Sequence, residues 1–190
     1  TWTVTVGSTL VVTAANSTSF LNSGETTTAT ADVAVSAIKT ASTTVQAATI
    51  AVTPLTSAAA APYAAVALTA TISGPGTLGF GGTASSVTVG NIVAQGRALT
   101  GTAGDYLIGV FADGTSGVAT ITISAGTTVL STETVTFYGD VASVVATVVN
   151  SVIPAANTGA SVGAVTAVAY DAAGVVVGAG NLYATSSVAT

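Results

Sequence analysis

Apolar and polar residues alternate with a period of two along much of this chain. In residues 117–123, GVATITI, alternate positions place Ala119, Ile121 and Ile123 on one side and two threonines on the other. Only an extended strand, whose successive side chains point to opposite faces, sorts such a sequence into a buried and an exposed side. Residues 132–138 repeat the pattern, with Val135 and Phe137 on one side. The pattern predicts antiparallel β-strands with one face against a core.

Residues 101–139 contain three such runs separated by two turns. The first run is 106–111, and the residues ADGTS at 112–116 separate it from the run that begins at Gly117. Asp, Gly and Ser favour turns because they tolerate positive φ or hydrogen-bond to their own backbone. The stretch therefore predicts the closing strands of a β-sandwich.

The same alternation, more weakly developed, predicts further strands on both sides of this region. They are residues 1–6, 10–13, 26–37, 45–52, 63–73, 77–80, 87–93 and 95–100 before it, and 141–149, 165–170, 175–177 and 181–186 after it. The alanine-rich segment 57–62 ends in proline and predicts a loop. Residues 171–174, DAAG, predict a turn.

Lapses in this pattern predict the domain organisation. The strand signal fades at residues 39–41, and a new set of strands begins at Asp140. We therefore predict N-terminal strands in residues 1–39, a sandwich in 40–139 and a partial sandwich in 140–190. The last segment is incomplete because its 51 residues are about half of what a seven-stranded sandwich needs.

Charged residues are scarce. Lys39 and Arg97 are the only cations, and seven carboxylates complete a charged fraction of 5%, against about a quarter in ordinary domains. The surface must therefore consist of Thr, Ser, Asn, Gly and Ala, which suits packing against copies of the same chain. Two isolated cations cannot form a phosphate-binding patch, so we expect no nucleic-acid partner.

The residue types most used in catalysis are also missing. The chain has no Cys and no His, so it has no thiolate and lacks the commonest general base, and a serine nucleophile would need Lys39 as its base. The glycine-rich residues 74–82 lack the Lys-Ser/Thr of a phosphate loop. We therefore expect no enzyme and no cofactor. The longest apolar run, residues 58–68, is broken by Pro62 and is too short to span a membrane.

Two kinds of ligand site remain as hypotheses. Asp105, Asp113 and Asp140 are candidate calcium ligands at a domain junction, although turn formation explains Asp113 without a metal ion. A carbohydrate-binding module would use aromatic side chains, for which Tyr63, Tyr106 and Tyr170 are the candidates.

Three segments resemble bacterial immunoglobulin-like domains of the invasin and intimin type. They are GPGTL at residues 74–78, DGTSGVATITI at 113–123 and DAAGVVV at 171–177. The resemblance implies an all-β fold of tandem Ig-like antiparallel β-sandwiches, the terminal one incomplete. It also implies a secreted, extracellular or cell-surface location in bacteria, where members serve as spacers and adhesive stalks on cells and phage particles and related domains build surface layers.

The incomplete terminal segment suggests how subunits would join. Residues 1–39 and 140–190 together number about 90, close to one sandwich. If the N-terminal strands of one subunit completed the C-terminal half-domain of another, a head-to-tail polymer would result. Two alternatives stay open: both ends close one domain within a chain, or the chain is a piece of a longer repeat array. The candidate interface residues are Trp2, Val4, Val6, Val165 and Tyr170.

These observations favour a non-enzymatic structural protein that self-assembles into a surface layer or filament. The alternative is a stalk or spacer segment of a cell-surface adhesin or phage appendage, with other cell-surface components as partners. The carbohydrate-binding module is a third hypothesis, from a different functional class.

Overall fold

The computed structural model of the chain describes residues 11–26, 28, 30–56, 66–81, 95–104, 106–152, 163–178 and 180–185. Within these ranges the chain is all-β and contains no helix. The strands are β1 (Thr18–Ser23), β2 (Val35–Ile38), β3 (Ala48–Thr53), β4 (Leu68–Ser73), β5 (Thr77–Gly81), β6 (Gln95–Gly96), β7 (Ala98–Thr100), β8 (Leu107–Phe111), β9 (Gly117–Ala125), β10 (Thr128–Tyr138), β11 (Val141–Val148) and β12 (Val165–Asp171).

Ten of these strands form two five-stranded sheets. Sheet I has the order β1-β3-β8-β5-β6, and sheet II has the order β2-β10-β9-β4-β7. The central pairings are antiparallel, with β8 between β3 and β5 in sheet I and β9 between β10 and β4 in sheet II. One apolar cluster joins Ile50 and Phe80 of sheet I to Ile121 and Phe137 of sheet II. The two sheets therefore enclose a shared core, as in a β-sandwich.

The predicted alternation is confirmed in β9 and β10. Ala119, Ile121 and Ile123 are buried, whereas the threonines between them are only partly buried. Val135 and Phe137 are likewise buried in β10. A period of two is therefore sufficient to identify the core-facing side of both strands.

The turn predicted at residues 112–116 is present, but it connects two different sheets. β8 lies in sheet I, and β9 lies in sheet II. All five residues of β8 are buried because β8 is the central strand of its sheet. A hairpin and a sheet-to-sheet crossing use the same turn residues, so the local sequence does not distinguish them.

The N-terminal strands belong to the same sandwich. β1 pairs with β3 from Thr18↔Thr53 to Ser23↔Ala48, and β2 lies beside β10. The predicted segment 1–39 thus supplies strands to both sheets that residues 40–137 build. The predicted linker at residues 39–41 is also attached to the sandwich, because the Lys39 carbonyl accepts a hydrogen bond from the backbone N–H of Gly114.

The chain divides after Phe137 into two compact units. The first, Thr1–Phe137, contains the sandwich, and we call it the sandwich unit. The second, Tyr138–Thr190, contains the antiparallel pair β11 and β12, which we call the ribbon. The predicted turn at 171–174 is confirmed by a hydrogen bond from the Gly174 N–H to the Asp171 carbonyl.

Two strand predictions after this turn differ from the structure. Residues 175–177 contribute only an isolated bridge, Tyr170↔Val176, and 181–185 form no strand. Conversely, β1 was not predicted, because its sequence, TSFLNS, places its two apolar residues side by side and so lacks the alternation of a one-sided strand. Its pairing with the buried β3 outweighs the low strand propensity of Ser and Asn.

Candidate functional site

The ribbon has one face made entirely of valine and alanine. Residues directly opposite in an antiparallel pair lie on the same face, and the pairs Val144↔Ala169, Ala146↔Ala167 and Val148↔Val165 alternate with more polar ones. We call these six side chains the Val/Ala face. The other side, the mixed face, carries Ser143, Val145, Thr147, Thr166, Val168 and Tyr170.

The Val/Ala face is largely exposed. All eight residues of β11 are exposed, including Val144 at 48% and Val148 at 62% of their accessible area. In β9 of the sandwich unit, by contrast, the apolar side is buried. Apolar area contributes stability only when it is removed from water, and an isolated two-stranded ribbon is marginally stable. Among the described residues of the ribbon unit, no β-strand lies over this face, although residues 177 and 180–182 border it at Ala167 and Ala169.

A depression of about 260 Å³ opens on this face, over Ala167 and Ala169. Its apolar lining includes Val141, Ala167, Ala169, Val177 and Leu182. The two alanines are small, whereas Val141 and Leu182 are larger side chains around them. Close by, Tyr183 is 90% exposed. The ribbon unit thus presents an apolar hollow and a protruding aromatic side chain, which directly follows Leu182 of the lining.

Asp171 fixes the end of the ribbon at this depression. Its buried carboxylate accepts hydrogen bonds from three backbone N–H groups, those of Gly139, Ala173 and Val175. An ionised carboxylate has only acceptor sites and therefore suits three donors. Residues 138–190 carry one other charged side chain, Asp140. Asp171 follows Ala169 on the same side of β12, so the one charged residue on that side is this buried carboxylate, and the six residues of the Val/Ala face carry no charge.

A second apolar hollow lies in the sandwich unit. It has a volume of about 430 Å³, and its lining includes Ile38, Ala41, Val45, Ala47 and Ala112. Ile38 and Val45 are both exposed. No ionisable side chain contributes to the lining, so this hollow offers apolar contact and no acid–base chemistry.

The candidate calcium ligands are used differently in the structure. Asp113 accepts a hydrogen bond from the backbone N–H of Thr115, and its Oδ2 lies 4.0 Å from Arg97 Nη1. Partial burial favours a higher pKa for Asp113, but the hydrogen bonds from Gly76 and Thr115 and the charge of Arg97 outweigh it and lower the pKa. The positive charge of Arg97 would repel a bound metal cation, so Asp113 is a poor candidate for a calcium ligand.

The other two calcium candidates, Asp140 and Asp105, give no further support to a calcium site. Asp140 is exposed in the ribbon unit, and Asp105 lies outside the described residues. Within the described part of the chain, no three His, Cys, Asp or Glu side chains form a group that would hold a metal ion.

The predicted interface residues fall into two groups. Val165 is exposed on the Val/Ala face, and Tyr170 is partly buried on the mixed face. Trp2, Val4 and Val6 lie outside the described residues, as does Tyr63. Tyr106 packs against the sandwich core, where burial raises the pKa of its hydroxyl.

Sequence reasoning missed the continuous apolar face on β11. The run VASVVATV has valine or alanine at six of eight positions, so it lacks the polar half that marks a one-sided strand. That departure from alternation is the signal that both faces of this strand are largely apolar.

Comparison with known proteins gave no match: no family model, no curated protein and no solved structure is similar to this chain. In the described ranges, no helix is long and apolar enough to cross a membrane. Function is therefore inferred from the geometry of the chain itself.

Proposed function

We propose that this chain is a non-enzymatic structural protein that self-assembles through its β-sheet surfaces into an extracellular surface layer or filament. The observation that carries the proposal is the exposed Val/Ala face of the ribbon, together with its depression. Monomeric proteins rarely expose contiguous apolar sheet faces, and those that are exposed commonly mark interaction sites.

The low charge of the chain supports association with copies of itself. With two cations and seven carboxylates in 190 residues, electrostatic repulsion between copies is small. The apolar hollow at Ile38 and Val45 provides a second surface on the sandwich unit. An extended layer or filament needs at least two distinct contacts per subunit, and these two surfaces supply candidates for them.

Strand addition between subunits is one route to such a polymer. In residues 18–38, β1 and β2 already belong to the sheets of their own sandwich unit, so these strands are not available as donors. The donor would then be residues 1–10, which carry Trp2, Val4 and Val6. The acceptor would be the outer edge of β11, since β12 already contacts Val176 and Val177 on its other side.

The division of the chain favours a second function, a stalk or spacer of a bacterial adhesin or phage appendage. Two compact units in series are what a tandem array of Ig-like domains would contain. In that arrangement the Val/Ala face would be covered by further β-strands of a longer chain, and the isolated chain would have no defined oligomer.

Sedimentation velocity across a wide concentration range, with negative-stain imaging, tests the proposal. We expect species larger than the monomer whose share rises with concentration, and regular layers or filaments at the highest concentration. Val144→Asp, on the exposed Val/Ala face, should abolish them. Val118→Asp is the matched control, because Val118 is an exposed valine of the sandwich unit. A monodisperse monomer at every concentration would reject self-assembly and favour the spacer.

The single tryptophan distinguishes strand addition from other contacts. Trp2 is the only tryptophan in the chain, so its fluorescence reports on residues 1–10 alone. If this segment is the donor, the emission should shift to shorter wavelength as subunits assemble. Assembly without any change in emission would exclude residues 1–10 as the donor while leaving self-assembly intact.

A further inference from the structure

The Val/Ala face is suited to pack against an identical surface. Its six side chains are all valine or alanine, and none is charged or has a hydrogen-bonding group. A partner with charged groups would have to leave them unpaired on this face, at a substantial desolvation cost. A second copy of the same face carries no such groups, and two sheets of small side chains pack face to face at about 10 Å.

The surroundings of the face are also self-complementary. A two-fold contact requires that each surface carry both the protruding and the receiving feature, because residue i then meets j while j meets i. The ribbon unit carries both: the depression lined by Ala167, Ala169 and Leu182, and the exposed ring of Tyr183. Tyrosine is enriched among the residues that dominate interface energetics.

We propose that two copies of the chain pair through their Val/Ala faces in a two-fold contact, with Tyr183 of each copy entering the depression of the other. The proposal rests on the self-assembly described above and assigns one of its contacts. The pairing would turn two exposed ribbons into a four-stranded, two-layer structure with a core of valine and alanine. It would also bury the area that an isolated ribbon leaves in water.

The size of the face sets the expected affinity. Six face residues, with the depression and Tyr183, are fewer than the roughly 20–30 residues per side of a standard stable interface. The pair is therefore expected to be weak in isolation and to be reinforced within an assembly, where neighbouring contacts raise the effective concentration. Measurements should accordingly extend to high protein concentration.

Thiol cross-linking of the full chain tests the pairing. The chain has no cysteine, so a single introduced thiol reports one position. Ala146 lies at the centre of the Val/Ala face, and Thr147 is its neighbour on the mixed face. Sheets about 10 Å apart exceed the reach of a direct disulfide. We therefore expect Ala146→Cys to form a covalent dimer with a short bifunctional thiol reagent and Thr147→Cys to form at most traces. Equal cross-linking at both positions would overturn the proposal.

Sedimentation equilibrium provides a second test. Ala167→Asp should weaken dimerisation by about tenfold or more, because it would bury a charge in an apolar contact. Thr166→Asp, at the adjacent position on the opposite face, should change it by less than about threefold. Tyr183→Ala should weaken it by about tenfold if the ring enters the depression. Unchanged affinity in both Ala167→Asp and Tyr183→Ala would contradict the pairing.

The outcomes separate this contact from self-assembly in general. Layers or filaments without an Ala146→Cys dimer would refute the two-fold pairing and leave the proposed function standing. A dimer that never grows would support the pairing and refute the layer or filament. Mixing Ala146→Cys with Val4→Cys in the presence of the same reagent tests the alternative occupant. A mixed cross-linked dimer in place of the Ala146 homodimer would assign the face to residues 1–10 and reject the second copy of the ribbon.

Discussion

The Oδ2 atom of Asp171 accepts a hydrogen bond of 2.8 Å from the backbone N–H of Gly139, 32 residues earlier in the chain. The other carboxylate oxygen accepts from Ala173 and Val175, both at 2.9 Å. One buried side chain therefore joins Gly139, two residues before β11, to the turn after β12. It closes the end of the ribbon at which the apolar depression lies.

Replacement of Asp171 should loosen this end of the ribbon. Asp171→Asn keeps the shape but has one acceptor oxygen in place of two, so at least one buried N–H loses its partner. We expect a loss of about 1–3 kcal/mol in local stability. Hydrogen exchange at the amides of Gly139, Ala173 and Val175 measures it. Asp140→Asn, an exposed carboxylate of the same unit, is the control, and an equal effect there would contradict this role.

Glu133 should make the stability of the sandwich depend on pH. Its side chain is 8% exposed, on the buried side of β10, and its carboxylate accepts a hydrogen bond from the Ser19 hydroxyl at 3.0 Å. Burial raises its pKa, and the nearby Asp32 charge adds to the rise, against the effect of the Ser19 hydrogen bond. The protonated form therefore favours the folded state, and the ionised form favours unfolding.

The sign of the effect follows from that raised pKa. The contribution of Glu133 to stability is fully present below the ordinary glutamate pKa of about 4.3 and is lost as pH rises through the raised pKa in the folded state. Glu133→Gln should therefore gain stability relative to the unmodified chain between pH 4 and pH 7, measured by urea denaturation. Glu25→Gln is the control, because it removes one negative charge at an exposed position and so shows the effect of net charge alone. A stability difference for Glu133→Gln that does not change with pH would refute this prediction.

Arg97 should stabilise the sandwich through carbonyl groups more than through its ion pair. It lies between β6 and β7, and its guanidinium donates hydrogen bonds to the carbonyls of Ile72, Gly74 and Gly76. Arg97→Ala should cost about 1–3 kcal/mol in the free energy of unfolding. Asp113→Asn should cost about 1 kcal/mol or less, since half of the Arg97 side chain is exposed and the ion pair is long. Denaturant titration of both variants measures the two losses in the free energy of unfolding. Equal losses would indicate that the ion pair, and not the carbonyl contacts, accounts for the effect of Arg97.

Gly74 should tolerate no side chain. Its φ is +84°, and an added Cβ would overlap the backbone carbonyl oxygen of Val118 in β9. Gly74→Ala should therefore destabilise the sandwich by about 2–4 kcal/mol. Gly126 is the matched control, because its φ is +58° and no atom lies within 4 Å of its added Cβ. Gly126→Ala should cost only about 1 kcal/mol in thermal or chemical unfolding, and similar losses at the two sites would refute the steric explanation.

Local sequence patterns were sufficient for the strands whose two faces differ. Ile121 and Val135 occupy the buried side that the alternation predicted, and Asp171 begins the predicted turn. These features depend on side-chain periodicity and on short-range hydrogen bonds, and both of these are determined by residues close together in the sequence. Glu133 is an exception of another kind: its spacing from Val135 and Phe137 places it on the buried side, whereas its charge would favour exposure.

The tertiary structure alone decided which strands become neighbours. Strand pairing depends on hydrogen bonds between distant residues, so β8 and β9 enter different sheets despite the short turn between them, and β1 is a strand because it lies beside β3. The sequence by itself determined an all-β chain with few charges and several one-sided strands. Whether an apolar face is covered depends on what lies opposite it in space. Only the folded chain showed that, among the residues the structure describes, the core of the sandwich is enclosed while the Val/Ala face of the ribbon is largely exposed.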